Sequence, residues 1–91
     1  MSLILLEFAK SFVSERLSAE VFSDAYIELW KIERDKGLLL GDASALSECL
    51  SSIFCAADMY CADDELREEY ELNGDQLRNE VLRIIKKLES D

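Results

Sequence analysis

Eight carboxylates fall between Asp58 and Asp75, against a single arginine, Arg67. Acids at that density have three chemical uses: an acid–base pair, a seat for a hard cation, or a surface for a basic partner. Acid–base work needs a carboxyl with a raised pKa, which requires burial, and crowded exposed acids stay ionised. A tight calcium loop needs glycine at its sixth position, and counted from Asp63 that position is Glu68. The chain has no histidine, and it has no Gly-rich phosphate loop. Catalysis, a metal and a cofactor are therefore not expected. The third use remains, a binding surface for a basic partner.

Two other groups of residues invite chemistry. Gly41-Asp42-Ala43-Ser44-Ala45-Leu46 loosely follows the Asp-Ser-Leu motif of acidic four-helix acyl carrier proteins, but Ala43 separates the acid from the serine. Ser44 is more simply a helix cap. Cys49, Cys55 and Cys61 are odd in number, with no Cys-x-x-Cys pair. Neither a zinc site nor a disulfide framework is indicated, and buried free thiols in a reducing compartment are expected.

The acidic stretch is not something a fold requires. Asp64 with Glu68, and Glu65 with Glu69, are like charges four apart, each unfavourable on a helix by roughly a few tenths of a kcal/mol. Glu68, Glu69 and Glu71 also sit at the wrong end of a short helix for its dipole. Outside 58–75 the chain holds twelve acids and nine bases, so the imbalance is local. A solvated face that keeps a small protein soluble would spread its charge more evenly. Tyr60 and Tyr70 lie inside the stretch, where tyrosine serves either as an interface anchor or as a core residue with a wet hydroxyl.

These residues need a scaffold, and 91 residues supply one domain, 1–91, that is 49% hydrophobic and 33% charged. A pI near 4.3 argues against nucleic acid and anionic membrane as partners. Leu3 to Leu6 is apolar but lacks a basic flank and is broken by Glu7 and Lys10, so it is neither signal peptide nor membrane span. A cytoplasmic protein, monomeric when free, is expected.

Apolar residues recur at three and four throughout, and there is no proline. Ser2 can cap a first helix with Leu5, Phe8, Ala9 and Phe12 on one face, running to about Arg16. Ser18 caps a second, with Phe22, Ala25, Tyr26 and Leu29 as its stripe, Trp30 beside it and Gly37 closing it. Leu38 to Gly41 connects to a third, started by Asp42 or Ser44, with Leu46, Leu50, Ile53, Ala57 and Tyr60 inward and Asp58 at the edge. Asp63 or Asp64 can cap a helix of one or two turns in which Leu66 and Tyr70 face the core and Glu65, Glu68 and Glu69 face water. Arg67 can pair with the acids around it. Asn73-Gly-Asp-Gln76 reads as a capping box with Leu72 and Leu77 as a hydrophobic staple. It opens a last helix along Leu77, Val81, Ile84, Ile85 and Leu88. The expected fold is all-α: an antiparallel four-helix bundle with a short extra helical turn between the third and fourth helices.

The chain resembles the colicin D immunity protein family. The likeness is carried by Phe8-Ala9-Lys10 with Phe12, Leu17-Ser18-Ala19, Phe22-Ser23-Asp24, Ala56-Ala57-Asp58 with Tyr60, then Arg67, Tyr70-Glu71-Leu72, Leu77, Glu80-Val81 and Arg83. The resemblance implies a four-helix bundle that binds, one to one, the basic nuclease domain of a tRNA-cleaving toxin and fills its active-site cleft with acids. It places that role on Asp58 and on one of Asp63 or Asp64, with the acid after the family's aromatic either replaced by Cys61 or shifted to Asp63. Tyr60 stands at that aromatic. Glu65, Glu68 and Glu69 join the expected partner-binding set on charge alone. The alternatives are an acyl-carrier-like carrier or adaptor, and immunity to a DNase-type bacteriocin. The latter group carries an Asp…Tyr-Tyr-Pro motif that a proline-free chain cannot hold.

Overall fold

A computed structural model describes residues 3–37, 44–63 and 65–90. It contains four helices: α1 (Leu3–Val13), α2 (Ala19–Asp35), α3 (Ser44–Asp58) and α4 (Gly74–Ser90). Each packs on the next and α4 returns to α1, so the four close around one core. Their order is antiparallel. Ser23 meets Ala57 while Tyr26 meets Leu50, so α2 and α3 run in opposite senses. The expected four-helix architecture is the one observed.

The core is built from the inward stripes. Leu5, Ala9, Phe12, Phe22, Tyr26, Ile53, Leu77 and Val81 are all completely buried. Phe22 is the hub of an aromatic ladder, stacked on Phe12 at 4.3 Å between ring centroids, with Phe8 at 5.6 Å and Tyr26 at 5.3 Å. Arg78 of α4 lies 4.9 Å from the Phe12 ring, and its Nε donates to the Phe12 carbonyl at 3.4 Å. Two buried hydroxyls tie α2 to α3. Ser23 Oγ donates to the Ala57 carbonyl at 2.9 Å and Tyr26 Oη to the Leu50 carbonyl at 2.8 Å. Burying a hydroxyl without a partner costs about 1–3 kcal/mol, so these bonds are what permit Ser23 and Tyr26 to be inside. They also turn the buried face of α2 toward Ser23, which leaves Ala25, expected in the stripe, exposed.

The helix ends follow local rules. Ser18 caps α2, its Oγ accepting from the Val21 N–H at 3.2 Å. Gly37 closes it with φ 73°, its N–H donating to the Arg34 carbonyl at 3.0 Å. The end of α1 was expected near Arg16 and comes at Val13 instead. Glu15 adopts φ 64°, and the bonds Arg16 N–H to Ser11 O (3.1 Å) and Glu15 N–H to Phe12 O (2.9 Å) form a Schellman stop. No glycine announces it. Ser2, Leu38 to Gly41 and Asp42, with the roles expected for them, lie outside the described residues.

The main departure is the connection from α3 to α4. Leu66 and Tyr70 do not face the core; each is 71% exposed. Asp63 does cap a turn, its Oδ1 accepting from Glu65 N–H at 2.9 Å and its carbonyl from Arg67 N–H at 3.0 Å. The turn is single and does not propagate. Like charges four apart oppose its extension. The core position is already filled, because Tyr60 and Leu72 pack against it and form a parallel bridge. The chain between them loops outward from that bridge.

Candidate functional site

The bridge at Tyr60 and Leu72 is the base of the candidate site. Cys61 N–H donates to the Leu72 carbonyl and Leu72 N–H to the Met59 carbonyl, both at 2.9 Å. Above it the loop makes two turns. The first is the Asp63 turn. The second joins Glu71 N–H to the Glu68 carbonyl at 3.0 Å, with Glu68 N–H returning to Glu71 Oε1 at 2.9 Å. Arg67 braces the first turn from beneath, its Nε donating to the Cys61 carbonyl at 3.0 Å. Arg67 was expected to pair with the acids around it; its guanidinium serves as a hydrogen-bonded strut. Two carboxylates of this loop, on Asp63 and Glu71, accept backbone bonds and so shape it.

Asp58 is the last residue of α3 and is exposed, as are Asp63, Glu65, Glu68 and Glu69. Tyr60 is half-buried with its ring against the core. Asp64 lies outside the described residues. The connection therefore holds Asp58, Tyr60, Asp63, Glu65, Glu68 and Glu69 at one end of the bundle.

The fold adds residues that local spacing could not reveal. Burial pushes the Tyr60 phenol above its ordinary pKa, and the charges of Glu20 and, more weakly, Asp24 push it the same way, against Arg67. Glu20 and Asp24 are exposed and lie one turn apart at the start of α2. Their nearness to Tyr60 follows from two contacts across the bundle: the Ser23–Ala57 hydrogen bond, and Ala19, whose Cβ stands 3.3 Å from where a Cβ on Gly74 would lie. In sequence they are one helix and some forty residues away from the loop. The acid pair at positions 20 and 24, set four apart on the side of α2 opposite Phe22, was the available signal.

What this arrangement can do is present fixed negative charge. Its acids Asp58, Asp63, Glu65, Glu68 and Glu69 are all exposed. Among the described residues no group of three or more His, Cys, Asp or Glu is arranged to hold a metal ion. The three thiols are unbridged: Cys49 is buried, Cys61 half-buried, and Cys55, against expectation, exposed. Burial raises the Cys49 pKa and so keeps that thiol protonated and unreactive. No helix among the described residues is long and apolar enough to cross a membrane.

No curated protein matches the chain. A family described as bacterial self-protective colicin-like immunity matches residues 1–88, almost the whole sequence. The four-helix bundle and that match lead to one assignment: the chain belongs to the family of colicin-like bacterial immunity proteins.

Proposed function

We propose that this protein is a cytoplasmic immunity protein that inhibits a colicin D-like, tRNA-cleaving toxin domain in a 1:1 complex, its acidic end filling the basic cleft that would hold RNA phosphate. Immunity proteins of this family imply a cognate toxin as partner. The observation that carries the finer reading is the surface from Asp58 to Glu69, where exposed carboxylates stand on a hydrogen-bonded loop beside Glu20 and Asp24. A nuclease for RNA must offer a basic groove, because phosphates dominate nucleic-acid affinity. A rigid array of carboxylates matches that groove without having to be ordered on binding.

Opposed potentials raise association toward about 10⁸–10⁹ M⁻¹s⁻¹ at low salt, which suits an inhibitor that must act before tRNA is lost. The action is occlusion by binding, with no cofactor. The test is tRNA cleavage by the cognate toxin domain: one equivalent of the protein should stop it, and cleavage that continues at excess ends the proposal.

A further inference from the structure

The two most exposed large hydrophobic side chains among the described residues, Leu66 and Tyr70, are also the two that lie off the helices. The others, Ile4, Val21 and Ile32, are scattered singly on α1 and α2. An isolated exposed leucine means little. These two are different in how they are held. The Asp63 turn carries Leu66 and the Glu68–Glu71 turn carries Tyr70, so each turn lifts one apolar side chain into water. The two turns stand on the bridge at Tyr60 and Leu72, and Arg67 braces the first of them. Glu65, Glu68 and Glu69 surround them, all exposed.

We infer that Leu66 and Tyr70 are the apolar anchors of the toxin interface. They enter a recess in the partner whose rim is lined by arginine or lysine. The inference rests on the proposed function and adds to it the residues that set affinity and specificity. Charge complementarity identifies the occupant. Any surface that covers these side chains must also accept the carboxylates beside them, which a basic domain does and a second copy of this acidic chain does not. Binding hot spots are enriched in aromatic side chains, set in desolvated pockets and ringed by polar contacts. A tyrosine and a leucine on a preformed loop inside a carboxylate rim have that composition, and the tyrosine face can also receive an arginine guanidinium. Fixed carboxylates speed encounter, whereas buried anchors slow release and separate one toxin from another.

The experiment measures binding of the inactivated nuclease domain of the cognate toxin to the full chain and to Leu66→Ser, Tyr70→Ser, Tyr70→Phe and Glu68→Gln/Glu69→Gln. Leu66→Ser and Tyr70→Ser should each raise Kd by about tenfold or more, through faster dissociation with the salt dependence unchanged. Tyr70→Phe should stay within about threefold of the parent. Glu68→Gln/Glu69→Gln should instead slow association and flatten the salt dependence. Both anchor sites are exposed, so unchanged circular dichroism and melting separate lost contact from lost fold. If the parent binds and both serine variants bind within about twofold of it, the anchor inference is overturned and the proposed function stands. A parent that fails to bind the domain overturns the proposed function, and the anchors with it. Self-association of the free chain that Leu66→Ser and Tyr70→Ser abolish would assign the anchors to a second copy and likewise overturn the inference.

Discussion

Asn73 and Gln76 hold each other's backbone: the Asn73 N–H donates to Gln76 Oε1 at 2.9 Å and the Gln76 N–H to Asn73 Oδ1 at 2.8 Å. This reciprocal pair ends the acidic loop and starts α4, while Leu72 and Leu77 on either side of it both pack into the core. Removing either side chain frees one donor at a helix start. Asn73→Ala and Gln76→Ala should each cost about 1 kcal/mol, or about 4–8 °C in Tm for a chain of this size. The double variant should lose less than the sum, because each bond depends on the same local geometry. Thermal melts of the three variants check this.

Glu15 is a side chain in a position that suits glycine. Its φ of 64° ends α1, and a left-handed conformation costs a non-glycine residue about 1–2 kcal/mol. Glu15→Gly relieves that strain while giving the unfolded chain more freedom, so a net gain of about 0.5–1 kcal/mol is expected in urea denaturation.

Tyr26 of α2 stands at the end of the aromatic ladder, and its hydroxyl donates to the Leu50 carbonyl of α3. Tyr26→Phe keeps the ring and removes the bond, which should cost about 1 kcal/mol at neutral pH. Burial, together with the charges of Cys49 and Glu33, raises the folded-state pKa of the phenol well above its ordinary value. A raised pKa means that this contribution is fully present below the unfolded value, about 10, and is lost as pH climbs beyond it. Burial moves the Cys49 thiol in the same direction, with its limb starting lower, near its ordinary value of 9.0. Stability should therefore fall on the alkaline side in two overlapping steps. Tyr26→Phe should shrink the later one, to which the raised Tyr60 phenol also contributes, and leave the earlier. Urea midpoints taken from about pH 8 to about pH 11 read this directly.

At the acidic end, reversing charge should slow encounter with the toxin domain more than it loosens the finished complex. Asp58→Lys, Asp63→Lys/Asp64→Lys and Glu20→Lys/Asp24→Lys should each reduce the association rate constant at low salt by about tenfold. The differences should shrink as salt rises, since exposed charges are screened beyond about 10 Å at 0.1 M. Melting temperatures should stay near the parent's for Asp58→Lys and Glu20→Lys/Asp24→Lys, whose side chains are exposed, whereas Asp63→Lys/Asp64→Lys also loses the Asp63 cap on the Glu65 N–H and should melt somewhat lower. Stopped-flow association measurements decide it. Rates indistinguishable from the parent for all three would take this end of the bundle out of the interface.

The helices and their caps were legible in the sequence because their causes are local. Ser18, Gly37 and the Asn73–Gln76 box act on backbone groups within a turn of themselves. The stripes through Phe12, Phe22, Ile53 and Val81 follow from the helical period, and the local excess of acid could be counted. The stop at Glu15 was not legible, because nothing in that residue type requires a left-handed backbone. The loop was misread for a related reason. Leu66 and Tyr70 stand four apart, which on a helix means one shared face, but spacing cannot say whether a core position is vacant. Tyr60 and Leu72 fill it, and their bridge turns the intervening chain outward. Glu20 and Asp24 join the acidic end for the same kind of reason, since only the packing of α2 on α3 brings them to Tyr60. The sequence by itself determined the amount and kind of charge and the helices that carry it. Which side chains share one surface, and which apolar ones are left in water, was decided by tertiary packing, because burial is a property of neighbours distant along the chain.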